Sequence, residues 1–148
     1  MSDVPPDPLP APYHDLFGWR LLEWRDGFAR LAAEAGPQHL NRADVVHGGF
    51  VLGLIDQAAA YSGLWCSVPG NARRAMTLAM STQFVAPVVP GRVTAEARVI
   101  SRGGTTFFTR IEAFREDGTL VATGQGTHRW RSGSEQVEGM PVAELRGA

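Results

Sequence analysis

Between Gly49 and Cys66 the chain reads GFVLGLIDQAAAYSGLWC, rich in Ala and Leu and long enough for a helix. Such a helix is apolar almost all round, which marks it as buried. That one element constrains the architecture more than any other. A lone apolar helix needs cover on every side. A curved sheet can wrap one flank, and a second copy of the chain is the simplest cover for the rest. Two features break the apolar run. Gly53 and Gly63 each cost a helix about 1 kcal/mol relative to Ala, so close packing is expected at both. Asp56 is a carboxylate among apolar residues. Left ionised and unpaired in such a place, a carboxylate costs several kcal/mol or titrates at a raised pKa. Either Asp56 lies on a wet stripe beside Gln57, or it serves a purpose.

The remaining segments supply the sheet. GRVTAEARVIS alternates, with Val93, Ala95, Ala97 and Val99 on one face and Thr94, Glu96 and Arg98 on the other. AMTLAMSTQFV before it, TTFFTRIEAFR after the turn RGG, and TLVATGQGTHRW after the hairpin signal EDG read as an antiparallel meander. FGWRLLEW and GFARLAAEAG, around the turn RDG, read as two more strands. The glycines of SRGGTTFF and GTLVATGQGTH read as turns or bulges. Five prolines within the first twelve residues predict an extended arm from Met1 to Pro12, not a packed element. The polar, Gly-rich RSGSEQVEGMPVAELRGA is expected to fray.

A net charge of −1 with a pI near 6.4 leaves no basic patch, which argues against a nucleic-acid partner. No apolar stretch approaches the roughly 18 residues of a membrane span, and the N-terminus lacks the pattern of a signal peptide. The single cysteine, Cys66, permits no intrachain disulfide and reads as a buried bystander. The expectation is a soluble, cytoplasmic protein.

The candidate chemistry gathers before and within the helix. Gly48 and Gly49 leave backbone N–H groups uncovered at a positive helix end, which suits a carbonyl oxygen gaining negative charge. They equally suit a plain loop-to-helix junction. A lone His47 before a helix is more often a cap than a catalyst, and Asn41 alone is an ordinary loop residue. His14, His39, His47 and His128 match no metal-site spacing, so no metal is expected.

Together, Asn41, HGG at His47 to Gly49, and Asp56 resemble the pattern of hotdog-fold acyl-CoA thioesterases. The resemblance is to the phenylacetic acid degradation type and the related 4-hydroxybenzoyl-CoA thioesterases. TLAMSTQFVAPVVPG is similar to that family's strand ending in Pro and Gly. RVTAEARVISRGGTTFFTRIEAFREDGTLVATGQGT resembles its last three strands, so the match runs from Phe17 to Trp130. The resemblance implies an α+β hotdog fold, one long buried helix wrapped by a curved antiparallel sheet of about five or six strands. The domain would span residues 16–131, between an arm (1–15) and a flexible tail (132–148).

The activity implied is hydrolysis of an aryl- or fatty acyl-CoA thioester, with coenzyme A as part of the substrate and no cofactor. Asp56 would be nucleophile or general base, and the N–H of Gly48 or Gly49 would polarise the carbonyl. Asn41 and His47 would orient the loop, the water or the thioester. Thr77 falls where relatives often carry Ser or Thr near the attacking water. Phe50, Leu54 and Tyr61 would neighbour the acyl group. Asp44 stands where relatives often have Gly, and Gly104, after the turn glycine Gly103, where they often have Lys or Arg. Arg102, Arg73 or Arg74 would then have to hold the coenzyme A phosphates. A homodimer or dimer of dimers is implied. Two other readings compete: a hotdog enoyl-CoA hydratase or dehydratase, and a non-enzymatic acyl-CoA-binding or regulatory module.

Overall fold

A computed structural model describes residues 4–146. In chain order the elements are α1 (Pro12–Phe17), β1 (Arg20–Arg25), β2 (Phe28–Ala35), a short 3-10 turn (Pro37–His39) and α2 (Gly48–Ser62). The two-residue β3 (Asn71–Ala72), β4 (Ala75–Phe84), β5 (Gly91–Gly103), β6 (Thr106–Arg115) and β7 (Leu120–Trp130) follow. β8 (Met140–Pro141) and α3 (Val142–Arg146) end the described chain. One antiparallel sheet of six strands runs β1-β2-β5-β6-β7-β4, and β3 pairs with β8. This is the hotdog arrangement that the family resemblance implies: one helix against a curved sheet.

Helix and sheet fit because the sheet presents small or branched residues where the helix lies. Val93, Ala95 and Ala97 on β5 pair across to Ala33, Leu31 and Ala29 on β2, and all are buried. They share one core with Val51, Leu54, Ile55 and Ala58 of α2. Gly53 within the helix and Gly63 at its C-cap mark close approaches. A Cβ on Gly53 would lie 2.8 Å from the Phe17 ring, and one on Gly63 would lie 2.4 Å from the Phe107 ring.

Three expectations are corrected. The helix stops at Ser62, four residues short of Cys66. Its last carbonyls turn to two indoles instead: Trp24 Nε1 donates to Tyr61 O and Trp130 Nε1 to Gly63 O, each at 2.8 Å. Second, the arm packs. Pro12 starts α1, where its missing N–H costs nothing. Phe17 then stacks on Phe50 with ring centroids 4.8 Å apart, and the Tyr61 hydroxyl donates to the Asp7 carboxylate. Third, the segment expected to fray is docked through residue 146. Arg73 is buried, and its guanidinium needs acceptors. The tail supplies two, the carbonyls of Ser134 and Glu135, at 2.8 and 3.0 Å. Leu145 of α3 is buried as well.

Candidate active site

Asp56 sits half-buried on α2, about two turns past the helix start. Its Oδ1 accepts a 2.6 Å hydrogen bond from the Thr77 hydroxyl on β4. A bulge accompanies this contact. β4 pairs with β7 at Thr77↔His128 and resumes at Ala79↔Thr127, leaving Leu78 without a partner. Such an insertion bends the strand and re-aims neighbouring side chains.

The hydrogen bonds continue behind Thr77 into the sheet. Thr77 Oγ1 lies 3.3 Å from His128 Nδ1, and His128 Nε2 lies 3.0 Å from Thr109 Oγ1. His128 and Thr109 are both buried. Each hydroxyl has one proton, and Thr109 Oγ1 lies 3.0 Å from the ring and 3.4 Å from Gly126 O; with that proton on the shorter contact, one assignment serves the row. Thr109 donates to Nε2, Nδ1–H donates to Thr77, and Thr77 donates to Asp56. The ring stacks on Phe107 at 4.8 Å. Gly126 makes room for it, since a Cβ there would meet His128 Nε2 at 2.5 Å and Thr109 Oγ1 at 2.8 Å. The glycines of β7, read from sequence as turns or bulges, are thus straight ladder positions that clear space.

Sequence reasoning did not select His128 or Thr109. Burial pulls the His128 pKa below the ordinary histidine value, against the opposing pull of the Asp56 charge. Its folded pKa lies below its unfolded one. Its contribution to stability is therefore complete above the unfolded value near 6.5 and is lost as pH falls through the folded value. His14, lowered by burial too, acts in the same direction. In urea titrations, the parent midpoint is expected to fall between pH 7 and pH 5, and that of His128→Gln to fall less. Equal slopes would remove His128 as a titrating group.

Asp56 opens on a cavity of about 700 Å³. Gln57, Ala60 and Tyr61 of α2 line it, with Thr77, Arg74 and the arm from Asp7 to Pro12. The carboxylate in the apolar helix thus faces a cavity and carries a hydroxyl donor.

Other residues singled out from sequence lie elsewhere. His47 caps α2: its Nδ1 accepts from Gly49 N–H at 2.9 Å, so that amide is committed within its own chain. Gly48 N–H has no acceptor among the described residues. Asn41 Oδ1 accepts from Ala43 N at 2.8 Å and Val45 N at 3.4 Å, which closes the loop before the helix. Asp44 in that loop has φ +58°, the left-handed region, which accounts for a position that suits glycine. Gly104 has φ +57° in the β5–β6 turn.

Leu54 and Phe50, expected beside the acyl group, belong to the core. Two residues along a helix is a rotation of about 200°, so Leu54 faces the sheet when Asp56 faces the cavity. Phe50 is covered by Phe17 and His39. Tyr61 does line the cavity. Arg102 is ion-paired with Asp26 at 2.7 Å, and Gly103 O accepts from the Thr106 hydroxyl. Neither lines the cavity. Arg73 and Arg74 both belong to the cavity wall, and Arg73 is a buried strut there, lying over the Trp130 ring.

A family model described as the thioesterase superfamily matches residues 43–122. Solved structures agree along most of the chain. A protein from the phenylacetic acid degradation operon of E. coli, PaaI, is 28% identical, with a TM-score of 0.74 over 84% of this chain and 87% of its own. The TT0310 protein of Thermus thermophilus is 30% identical, with a TM-score of 0.71 over 83% and 99%. A conserved protein of Pseudomonas aeruginosa, PA5202, is 27% identical, with a TM-score of 0.74 over 84% and 97%.

Proposed function

This chain belongs to the thioesterase superfamily, and from that premise we propose that it hydrolyses acyl-CoA thioesters to the free acid and coenzyme A, with Asp56 as the reacting carboxylate. One observation carries the reading: Asp56, oriented by Thr77 at 2.6 Å, at the wall of a cavity large enough for an acyl group. Thr77 holds Oδ1, while Oδ2 accepts no hydrogen bond among the described residues.

As general base, Asp56 takes a proton from water as the water oxygen bonds to the thioester carbon. The tetrahedral oxyanion collapses, the C–S bond breaks, and the proton passes to the departing thiolate. As nucleophile, Asp56 itself would form the new C–O bond and water would cleave the resulting anhydride. Label found in Asp56 after one turnover in ¹⁸O-water identifies the nucleophilic route, because water oxygen enters the side chain only by hydrolysis of an anhydride at the Asp56 carbonyl.

The oxyanion needs a donor, and Gly48 N–H has no acceptor among the described residues. The reading supplies it from a second copy. β4 is a sheet edge, and Met76, Leu78, Phe84 and Val85 are exposed along it. An uncovered apolar edge invites pairing. Gly48 lies under Phe84 at one end of β4, and Asp56 is bonded to Thr77 at the other. Two copies of β4 paired antiparallel about a two-fold axis bring the Phe84 end of each to the Thr77 end of the other. Each Asp56 then gains the partner's helix start.

A screen over aryl, short-chain and long-chain acyl-CoAs, read as free thiol release, tests the activity. Turnover of at least one class is expected, and a blank result across all of them, with enoyl-CoA hydration present, would shift the protein to the hydratase reading. Asn41→Ala and His47→Ala are each expected to lower kcat less than Asp56→Ala, because both side chains hold backbone in the loop and cap. A His47→Ala variant worse than Asp56→Ala would contradict that division of roles.

A further inference from the structure

The cavity beside Asp56 is unbalanced in charge. Four arginines, Arg73, Arg74, Arg131 and Arg146, contribute to its wall, against two acidic residues, Asp7 and Asp56. Asp7 is already engaged by the Tyr61 hydroxyl and stands 4.0 Å from His14. None of the four arginines forms an ion pair among the described residues. Two of them are in settings that call for an anion. Arg73 is only 5% exposed, yet its acceptors are three neutral carbonyls. Arg74 Nε is buried with no acceptor among the described residues. A buried donor without a partner is destabilising, and so is a buried charge without an opposite one. A carboxylate or phosphate held in the cavity would bring the missing countercharge close to both.

An anion could come from the acyl group or from the coenzyme A phosphates. Reach separates them. Arg74 precedes Thr77 by three residues, which is at most about 10 Å along an extended chain. The diphosphate of coenzyme A is tethered to the sulfur through the whole pantetheine, which is longer than that when extended. A carboxylate at the far end of a short acyl chain falls within the distance. The arm, Tyr61 and Trp24 meanwhile provide an apolar wall for the intervening carbons.

We propose that this cavity receives an acyl group carrying its own terminal carboxylate, held by Arg74 with Arg131 and Arg146, so that the preferred substrates are mono-thioesters of short dicarboxylic acids. The inference rests on the hydrolytic reading above and narrows its substrate.

The test compares adipoyl-CoA with heptanoyl-CoA, which match in length and differ in the terminal carboxylate, and repeats the pair as N-acetylcysteamine thioesters, which lack the phosphates. The kcat/KM for the adipoyl ester is expected to exceed that for the heptanoyl ester by about tenfold or more on both carriers, the size of a charge-assisted contact. In Arg74→Gln the ratio falls toward one. Arg131→Gln, at an exposed side chain, gives the same result if the first variant folds poorly. A parent ratio of one or less overturns the proposal. So does an arginine variant that weakens both coenzyme A esters equally and spares both N-acetylcysteamine esters, since those groups then serve the phosphates. If no ester is cleaved, the hydrolytic reading fails and binding still decides the inference. The non-cleavable thioethers S-(5-carboxypentyl)-CoA and S-heptyl-CoA are compared by calorimetry. Tighter binding of the first upholds the carboxylate site, and equal affinity removes it.

Discussion

Asp56→Ala is expected to lower kcat for thioester hydrolysis by about 10²-fold or more, the usual scale for losing a general base or a nucleophile. The protein should remain folded, because Asp56 is half-buried at a cavity wall and its hydrogen-bond partner among the described residues is a hydroxyl. Asp56→Asn makes the sharper comparison. The amide oxygen still accepts from Thr77, so the row of hydrogen bonds back to His128 and Thr109 persists. What is lost is the negative charge and its basicity. Asn should therefore match the parent's unfolding midpoint more closely than Ala or Leu does, while its kcat falls about as far as that of Ala. Leu should be the least stable of the three, since it presents an apolar group to a cavity with four arginines in its wall and leaves Thr77 without its acceptor. Turnover near the parent's in either Ala or Asn, on a substrate the parent cleaves well, would remove Asp56 from the chemistry.

Asp56 was legible from sequence because it breaks a rule. A carboxylate in an otherwise apolar helix has few explanations, and Gly53 and the C-cap Gly63 announce close packing that Phe17 and Phe107 supply. The strands of the meander were legible for the opposite reason. Val93, Ala95 and Ala97 obey the period of two, and that period fixes both conformation and face. His128 obeys no such signal. Its alternation with Gly124 and Gly126 on β7 is that of any strand. Its approach to Thr77 depends on the register between two strands far apart in sequence, and that register shifts at Leu78. A bulge is a tertiary event, and composition does not announce it. Leu54 and Phe50 failed for a simpler reason. In a helix apolar all round, periodicity cannot say which apolar face meets the sheet and which the cavity. The tail failed because a polar segment was read as unable to dock, whereas its backbone carbonyls are what a buried Arg73 requires.

A mixture of two dead variants is expected to regain about a quarter of the parent's activity. Gly48 and Asp56 are eight residues apart on one helix, a separation of about 12 Å along its axis. An attacking oxygen must approach a thioester carbonyl to about 3–3.5 Å, so one helix cannot bring its own first N–H and its own Asp56 to the same carbonyl. The proposed pairing of β4 edges joins the Gly48 end of each chain to the Asp56 end of the other. One variant is Asp56→Ala. The other is Gly48→Pro, which deletes the N–H at the first helical position, where proline's fixed φ suits the helix. The ring must displace the Phe84 side chain slightly, since a Cβ at Gly48 already lies 3.2 Å from Phe84 Cζ. Each variant alone forms dimers with two damaged sites. Random exchange between equal amounts makes about half the dimers mixed. In a mixed dimer both lesions fall in one site and the other site is whole, so half the sites of half the dimers work. Exchange is checked with differently tagged chains. If tagged chains exchange and no activity returns, each chain supplies its own donor and carboxylate, because every site in a mixed dimer would then carry one lesion.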